Sequence, residues 1–463
     1  MKESGHVVAI FGGAVAGSEA ASRLTERGIR CVVFEQNPLP YGKLESGLPK
    51  WHVKLRDKEE SKINDKLDHP LVDFVPFVTL GEDMIFDDIV KNWNFSAVLL
   101  ATGAWKDRPL PIADIDAYIN KGLVYQNPFV AWFNRNHEPE FSESQYQIKD
   151  DAIIIGGGLA SIDVAKIVMI ELARTRLNEK GHDVDVFSLE KKGIPDCLAE
   201  IGLAFEDLHI KGCTLYYRRR LIDMPLSSIP ENPSEKDYEI ANRVRTKILN
   251  LAQNKYMFKF RESHQPVKKV VDADRLSGII FQKTGMEDGK LKLVEGSEYE
   301  VESPLIISAI GSLPEPIRGL PYTGDSFEVI DTATGQLKGY DNVFALGNAV
   351  TGRGNIKESQ QHGRHVSLKV MEDYLAWQSE DYEKLFDQAG SDAERKAERI
   401  GEQLQAKKAL DPDQIRSITQ RIMDLQKKSG YDGNYANWIK KHLPVRIENL
   451  VKHEEHEEKD KAK

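Results

Sequence analysis

Cysteine is scarce in this chain: 463 residues contain three, Cys31, Cys197 and Cys213, and no two of them form a CxxC pair. So few thiols argue against a disulfide framework and suit a reducing compartment. A cysteine-ligated iron–sulfur cluster, which usually takes four thiolates, is excluded within this chain. The redox-active dithiol of a disulfide reductase is missing as well.

An excess of positive charge and long apolar runs are also missing. Lys and Arg number 63 against 73 Asp and Glu, for a formal net charge of −10. No domain-wide basic surface is available to neutralise phosphates, so nucleic acid is not an expected partner. No stretch approaches the 18 apolar residues of a membrane span, and the segment Met1–Gly13 lacks a signal-peptide cleavage pattern. We therefore expect a cytoplasmic protein, long enough for two or three domains.

One local pattern occurs twice: a short apolar run, a glycine turn and an amphipathic helix. Continuous apolar runs followed by helices predict buried parallel strands in βαβ units. A second strand follows each helix. The first copy comprises Val7–Phe11, Gly12–Gly17, a helix to about Gly28 and the strand Cys31–Phe34; the second comprises Ala152–Ile155, Gly156–Gly158, a helix from Leu159 to about Leu177 and the strand Thr214–Tyr217.

Other segments complete the outline of the chain. The long insertion before the last of these strands contains Val184–Phe187, which is compatible with a further strand. Between Phe258 and Val301 the apolar residues alternate with polar ones and turns, which predicts a small antiparallel meander. From about Gln378 onward Glu, Lys, Arg, Gln and Ala dominate at helical spacing, which predicts a helical C-terminal appendage.

The first glycine turn is the better candidate for an FAD site. Gly12 allows a tight turn, and Gly17 allows close packing of helix on strand. The helix N-terminus favours a pyrophosphate, and Glu35, about 20 residues on, can accept hydrogen bonds from a ribose. Ala14 departs from the pattern, because a second glycine usually lets the backbone approach the phosphates. The alternative is a purely structural turn.

The second glycine turn, with Gly156, Gly158 and Ser161, has a different ending. The strand after it leads to Arg218, Arg219 and Arg220 rather than to a carboxylate. Guanidinium groups at this position can hold a 2′-phosphate, whereas an acidic residue would repel it. The pattern therefore favours NADPH over NADH. The alternative is three surface arginines paired with nearby carboxylates.

Two dinucleotide sites in one chain indicate electron transfer between two cofactors, with the nicotinamide delivering hydride to the flavin. We predict an α/β fold with two Rossmann-like dinucleotide-binding domains, for FAD and NADPH, the second inserted in the first. The expected boundaries are 1–106 and 325–377 for the FAD-binding domain, 107–324 for the NADP(H)-binding domain with the meander, and 378–463 for the helical appendage.

Further motifs lie between and beyond the two turns. They are the loop Gly42–Gly47, the run Val98–Gly103, the segment Phe129–Asn134, the helix start Asp163–Lys166, and Val343–Asn348 followed by Thr351–Ile356. In order and spacing the set resembles the adrenodoxin reductase family of NADPH–ferredoxin reductases and the related small subunit of bacterial glutamate synthase. The resemblance covers about residues 5–376. Met224–Pro225 resembles the glutamate synthase branch more than the other.

The resemblance implies roles for particular residues. His52 and Asp163 match a histidine and an aspartate close to the flavin, which implies a proton or hydrogen-bond path as their catalytic role. An ordinary loop histidine and a helix-start carboxylate are the alternatives. The implied cofactor contacts, beyond those of the two turns, are Gly42, Leu44, Ala101, Thr102 and Gly103 for FAD, Leu159 for NADPH, and Gly347, Asn348, Gly354, Asn355 and Ile356 in the last FAD segment.

The resemblance implies a redox partner but does not identify it. Ferredoxins are usually acidic, and basic docking candidates are Lys191–Lys192, Arg243–Arg245–Lys247 and Lys268–Lys269. We predict an NADPH-dependent flavoprotein reductase that passes electrons to ferredoxin or a similar carrier. The alternatives are a reductase module of a larger complex, a redox-inactive dinucleotide-binding sensor or scaffold, and a flavin monooxygenase.

Overall fold

The computed structural model describes residues 4–138, 141, 145–227, 233–347 and 374–450. The helices of these residues are α1 (Val15–Thr25), α2 (Lys43–Ser46), α3 (Val53–Leu67), α4 (Phe86–Asn92), α5 (Gln126–Arg135), α6 (Leu159–Glu179), α7 (Val186–Lys192), α8 (Ile194–Glu200), α9 (Glu235–Tyr256), α10 (Tyr374–Gln405), α11 (Pro412–Ser429) and α12 (Tyr435–His442). The strands are β1 (Val7–Phe11), β2 (Arg30–Glu35), β3 (Val72–Pro76), β4 (Ala97–Leu100), β5 (Lys106–Asp107), β6 (Leu123–Tyr125), β7 (Ala152–Gly156), β8 (Cys213–Tyr216), β9 (Lys259–Arg261), β10 (His264–Asp272), β11 (Arg275–Glu287), β12 (Lys290–Leu293), β13 (Tyr299–Glu302), β14 (Ile306–Ala309), β15 (Ser312–Leu313), β16 (Tyr322–Thr323), β17 (Ser326–Phe327), β18 (Val329–Asp331), β19 (Gln336–Leu337) and β20 (Val343–Ala345).

The first domain is built on a seven-stranded sheet with the order β18-β19-β20-β4-β1-β2-β3. Strands β20, β4, β1, β2 and β3 are parallel, and β18 and β19 form an antiparallel edge. Every residue of β1 is buried, as expected of a central strand with helices on both faces. The apolar run and the glycine turn therefore form the βαβ unit that the sequence predicts.

The second domain is built on a five-stranded parallel sheet with the order β6-β14-β7-β8-β9. The predicted meander is present as β10, β11, β12 and β13, paired antiparallel. The chain leaves the first domain through β5 and returns through β15, and these two crossings pair with each other. The prediction of two α/β domains, the second inserted in the first, is confirmed.

The insertion in the second domain does not contain the expected strand. The segment Val184–Phe187 instead leads into α7, because the Asp185 side chain accepts hydrogen bonds from the backbone N–H groups of Phe187 and Ser188 at 2.8 and 3.0 Å. That carboxylate is a helix N-cap, and it favours a helix over an extended chain. Helices α7 and α9 both pack against α6, which is mostly buried.

The predicted C-terminal helical region is present and packs on the first domain. Helix α10 lies against α1, and α11 lies against β3, the edge strand of the sheet. Gln426 Nε2 donates to the Phe74 carbonyl at 2.9 Å, which satisfies one backbone acceptor of that edge. Trp438 Nε1 donates to the Pro38 carbonyl at 2.8 Å. The helices α10–α12 are therefore part of the core of this domain.

Within the described ranges, no helix has both the length and the apolar character needed to cross a bilayer. The same ranges contain no group of three or more His, Cys, Asp or Glu side chains placed to hold a metal ion.

Candidate dinucleotide sites

The turn between β1 and α1 requires glycine at two positions. Gly12 has φ +101°, and a Cβ there would lie 2.4 Å from the Ala101 carbonyl oxygen. A Cβ at Gly17 would lie 1.8 Å from the Gly12 oxygen. No side chain caps the N-terminus of α1. Its first N–H groups are therefore free to bind an anion such as a pyrophosphate.

Ala14, which departs from the usual glycine pattern, lies against the loop that carries Gly42. Gly42 has φ +53°, and a Cβ there would lie 3.0 Å from the Ala14 Cβ. The loop thus approaches the turn so closely that a side chain on Gly42 would crowd the Ala14 methyl group. The alanine is accommodated by a glycine opposite it.

Glu35, at the end of β2, is buried with both oxygens engaged. Oε2 accepts from the Gly13 N–H at 2.9 Å, and Oε1 accepts from the Asn37 N–H at 3.0 Å. Burial raises the pKa of this carboxyl, and these hydrogen bonds oppose that shift. An ionised carboxylate has about four lone-pair sites, so hydroxyl donors of a ribose can still be accepted.

A cavity of about 150 Å³ opens over this turn. Its walls include all the proposed FAD contacts among the described residues except Gly17, which lies behind the turn: Gly12, Ala14, Glu35, Gly42, Leu44, Ala101, Thr102, Gly103 and Gly347. The glycine cradle, the uncapped helix start and the carboxylate together fit a dinucleotide such as FAD. Asn348, Gly354, Asn355 and Ile356 lie outside the described residues.

Sequence reasoning missed several residues of this cavity. Val78 and Leu80 line it from the loop after β3, and Lys43 at the start of α2 and Trp105 just before β5 line it as well. Phe386 and Ala389, on α10, also face it. Lys43 lies within the motif Gly42–Gly47 although it was not named as a contact. No local motif marks the other positions, because they come from segments that only the tertiary fold brings to the turn.

In the turn between β7 and α6, neighbouring atoms leave no room for a side chain at Gly156, whereas the space beside Gly158 is empty of protein atoms. A Cβ at Gly156 would lie 2.5 Å from the Ala309 carbonyl oxygen, whereas a Cβ at Gly158 would meet nothing within 4 Å. Ser161 Oγ donates to the Gly158 carbonyl at 2.6 Å, and Leu159 begins α6, whose N-terminus has no side-chain cap. The open space above Gly158 lies where a pyrophosphate would approach the backbone.

Tyr217, which the motif does not include, covers the middle of this turn. A Cβ at Gly157 would lie 2.1 Å from its ring, and its hydroxyl donates to the Asp223 carbonyl at 2.8 Å. Gly157 is therefore required by the tyrosine ring, while Gly158 is left open for a ligand.

The three arginines after β8 are exposed but differ in their partners. Arg220 makes two hydrogen bonds to Asp223, at 2.9 and 3.0 Å. The described residues provide no side-chain hydrogen bond or salt bridge to the guanidinium groups of Arg218 and Arg219. The alternative explanation, pairing with a nearby carboxylate, thus applies to Arg220 alone. Arg218 and Arg219 are available to bind a phosphate.

His52 and Asp163 are brought into one buried cluster by a residue of α10. Tyr382 Oη donates to Asp163 at 2.6 Å, and its ring centroid lies 5.4 Å from that of His52. Lys166 Nζ lies 3.4 Å from Asp163 and 3.2 Å from Glu190. Neither His52 nor Asp163 lines the cavity itself. Phe386, one helical turn after Tyr382, does, so the cluster adjoins the cavity.

The protonation of this cluster is set mainly by burial. Burial and the charge of Lys166 lower the pKa of His52 to about 3, so the imidazole is neutral in the physiological range. Burial raises the pKa of Asp163, against the opposing effects of Lys166 and Tyr382. A neutral His52 can orient or accept a hydrogen bond but does not supply a positive charge.

Replacing Tyr382 with Phe should destabilise the protein by roughly 1–3 kcal/mol, because a buried carboxylate loses a hydrogen-bond donor. Denaturant unfolding of Tyr382→Phe measures the change. Tyr238, which is 49% exposed, offers the matched control, and Tyr238→Phe should stay within about 0.5 kcal/mol of the parent. Equal stability of the two variants would show that the Tyr382–Asp163 bond contributes nothing.

The basic docking candidates are less available than the sequence predicted. Arg245 is buried and donates to the carbonyls of Ile222 and Ser227 at 2.5 and 3.0 Å, so it holds a loop and offers no charge to a partner. Lys192 pairs with Glu200 at 2.6 Å, and Lys268 pairs with Glu298 at 3.1 Å. The prediction of three exposed basic groups is wrong at Arg245, because the inward face of α9 buries that side chain.

No family model matches the chain. Curated relatives similar to it include a probable ferredoxin/ferredoxin–NADP reductase of Mycobacterium leprae, 24% identical and covering 71% of this chain and 59% of the relative. A mitochondrial NADPH:adrenodoxin oxidoreductase of Arabidopsis thaliana is 25% identical, covering 68% and 69%. A glutamate synthase [NADPH] small chain of Mycobacterium tuberculosis is 24% identical, covering 69% and 56%. The chain thus spans between 56% and 69% of the length of these relatives.

Among solved structures, FprA of Mycobacterium tuberculosis in complex with NADPH has a TM-score of 0.60, with 91% of each chain covered and 18% identity. At that identity the match supports the fold. The resemblance that the motifs indicate is confirmed by the sequence relatives: they are reductases of the adrenodoxin reductase type and the related glutamate synthase small chains.

Proposed function

We propose that this chain is an FAD-dependent oxidoreductase that takes hydride from NADPH and passes electrons to ferredoxin or a similar carrier. The observation that carries the proposal is the pair of uncapped helix starts, one leading to Glu35 and the other to Arg218 and Arg219. The names of the relatives support it.

In this proposal the cavity over β1 holds FAD, with the pyrophosphate at the start of α1 and a ribose at Glu35. FAD supplies the ring that accepts hydride. The residues of the chain bind and orient it: the glycines allow close approach of the backbone, and Phe386 and Ala389 close the cavity from α10. His52, Asp163 and Tyr382 form the adjoining polar wall, which fixes hydrogen-bonding groups beside the cavity.

NADPH is proposed to bind at the second turn. Gly158 leaves room for the pyrophosphate, with Gly156, Leu159 and Ser161 shaping the turn. Arg218 and Arg219 take the 2′-phosphate, and Arg220 stays with Asp223 as a neighbouring positive charge. The domain boundaries that we propose are those expected from the sequence: 1–106 with 325–377, 107–324, and 378–463.

An anaerobic titration tests the proposal. The purified protein should carry a flavin absorption band, and NADPH should bleach it at much lower concentration than NADH. Flavin that neither nucleotide reduces, or a protein that holds no flavin, would contradict the reductase and favour the sensor or scaffold. NADPH-dependent oxygen insertion would indicate the monooxygenase.

Removing the two available arginines should weaken NADPH binding while leaving NADH binding unchanged. Charge-assisted hydrogen bonds contribute roughly 1.5–3 kcal/mol. The double variant Arg218→Ala/Arg219→Ala should therefore raise the Kd for NADPH by at least about tenfold. Arg275→Ala, at the tip of the β10–β11 hairpin, is the control. An equal loss for NADPH and NADH would mean that the arginines do not read the 2′-phosphate.

The second candidate is a reductase module of a larger complex. The similarity to glutamate synthase small chains favours it. Purification at native abundance separates the two candidates: a stably associated large subunit supports the module, whereas reduction of a ferredoxin by the purified chain alone supports the reductase. We propose the cytoplasm as the compartment, which suits three buried free thiols.

A further inference from the structure

A lysine lines the cavity at the point where the two domains meet. Lys43 is the first residue of α2, and its Nζ donates to Asn127 Oδ1 at 3.1 Å and to Ser312 Oγ at 3.0 Å. Asn127 begins the second domain's α5 region, and Ser312 lies on β15, one of the two chain crossings. The amine is thus held in place by two neutral groups from the opposite side of the junction.

No carboxylate neutralises this amine directly. Among the residues that the structure describes, none places a carboxylate oxygen within 4 Å of Lys43 Nζ. Asp107, the nearest acidic group to influence it, is engaged by the Asn127 N–H at 3.2 Å. Burial lowers the pKa of Lys43 to about 8 and raises that of Asp107 to about 6. At neutral pH Lys43 is therefore mostly protonated, and its positive charge lies in the cavity wall without a direct salt bridge among the described residues.

Lys43 and Glu35 both line the cavity but contact different parts of the fold. Glu35 lies on the side of Gly13, whereas Gly42 and Lys43 follow the loop past Ala14 toward Trp105, whose ring centroid is 5.8 Å from the amine. A dinucleotide with one ribose at Glu35 and its pyrophosphate at α1 would extend its other half toward Lys43. For FAD that half carries the flavin ring.

We propose that Lys43 faces the flavin ring and stabilises its reduced form, so that this residue sets the reduction potential of the cofactor. The proposal rests on the proposed function. The hydride that leaves NADPH, forming NADP⁺, brings two electrons and one proton to the ring, which gains one negative charge. A positive charge held beside the ring favours that product over the neutral oxidised ring.

The experiment measures the midpoint potential of the flavin in the full-length protein by anaerobic dye-coupled titration. Lys43→Met removes the charge and should lower the equilibrium constant for two-electron reduction by at least about tenfold, which corresponds to about 30 mV. Lys43→Gln keeps a polar group for Asn127 and Ser312 and should show the same shift, and it serves as the readout if the methionine variant does not fold. Lys43→Arg should restore most of the potential.

Lys50 supplies the matched control. It is another buried lysine of the same region, with its pKa also lowered to about 8, but it lies 4.2 Å above the Phe133 ring and does not line the cavity. Lys50→Met should leave the potential unchanged. If the parent binds flavin that NADPH reduces, and the potential is unchanged in both neutral Lys43 variants, the role of Lys43 is overturned while the proposed function stands. A parent protein without reducible flavin would overturn the proposed function and this inference together.

Discussion

A chain that ends at Trp377 should not fold, because the removed helices contribute to both faces of the first domain. The deletion takes away seven large hydrophobic side chains that are each at most 7% exposed: Ile400, Leu404, Ile418, Ile422, Tyr435, Trp438 and Ile439. At roughly 1.5–3 kcal/mol for each buried side chain, the loss is about 10–20 kcal/mol. Total stabilities of domains are about 5–15 kcal/mol. Circular dichroism and gel filtration of the truncated chain measure the outcome.

Point variants separate loss of packing from any other effect of the truncation. Trp438→Ala should cost roughly 3–5 kcal/mol, because it empties a buried site and leaves the Pro38 carbonyl without its donor. Met423, on α11, is 57% exposed, so Met423→Ala should change stability by less than about 0.5 kcal/mol. A truncated chain that stays monomeric, folded and flavin-bound would show that α10–α12 are dispensable.

Gly158→Ala should abolish most NADPH binding while leaving the fold intact. The alanine methyl meets no protein atom within 4 Å, and the backbone φ of −97° suits any residue. The methyl instead fills the space where the pyrophosphate must approach the backbone. We expect the Kd for NADPH to rise by at least about tenfold, with Tm and FAD content unchanged. Isothermal titration with NADPH and a thermal melt provide the two measurements.

Substitution of Gly156, two residues earlier in the same turn, should instead disturb the fold. In Gly156→Ala the new methyl group would lie 2.5 Å from the Ala309 carbonyl oxygen, so the strand pair β7–β14 must shift. That variant should lose stability whether or not nucleotide is present. If Gly158→Ala binds NADPH as the parent does, the second turn is not the pyrophosphate site.

The βαβ units could be predicted from sequence because their determinants are local. The runs Val7–Phe11 and Ala152–Ile155 are apolar at every position, which only strands buried on both faces require. Gly12, Gly17 and Gly156 are fixed by contacts within the turn or to an adjacent strand. The end points at Glu35 and Arg218 followed from the same local pattern.

The rest of the cavity could not be predicted, because it depends on contacts between distant segments. An amphipathic pattern in α10 indicates that one face is buried, but not that Phe386 closes a cavity over β1. Tyr217 covers Gly157 only because β8 lies beside β7. Arg220 and Arg245 look like Arg218 in the sequence. The carbonyl and carboxylate groups that engage them are set by how the loop around Asp223 folds.

Because the chain crosses between the domains at β5 and β15, the two domains complete their folding at different times during synthesis. Strand β4 pairs with β20, with Val98 opposite Val343. The first sheet can therefore be completed only after β20 has been synthesised. The second domain is continuous between the two crossings and can fold as soon as it has left the ribosome, since domains generally fold as units. One edge of β4 therefore stays unpaired until β20 has emerged. An unpaired strand edge is a template for pairing with another chain, so this interval is when the first domain is most exposed to misassembly.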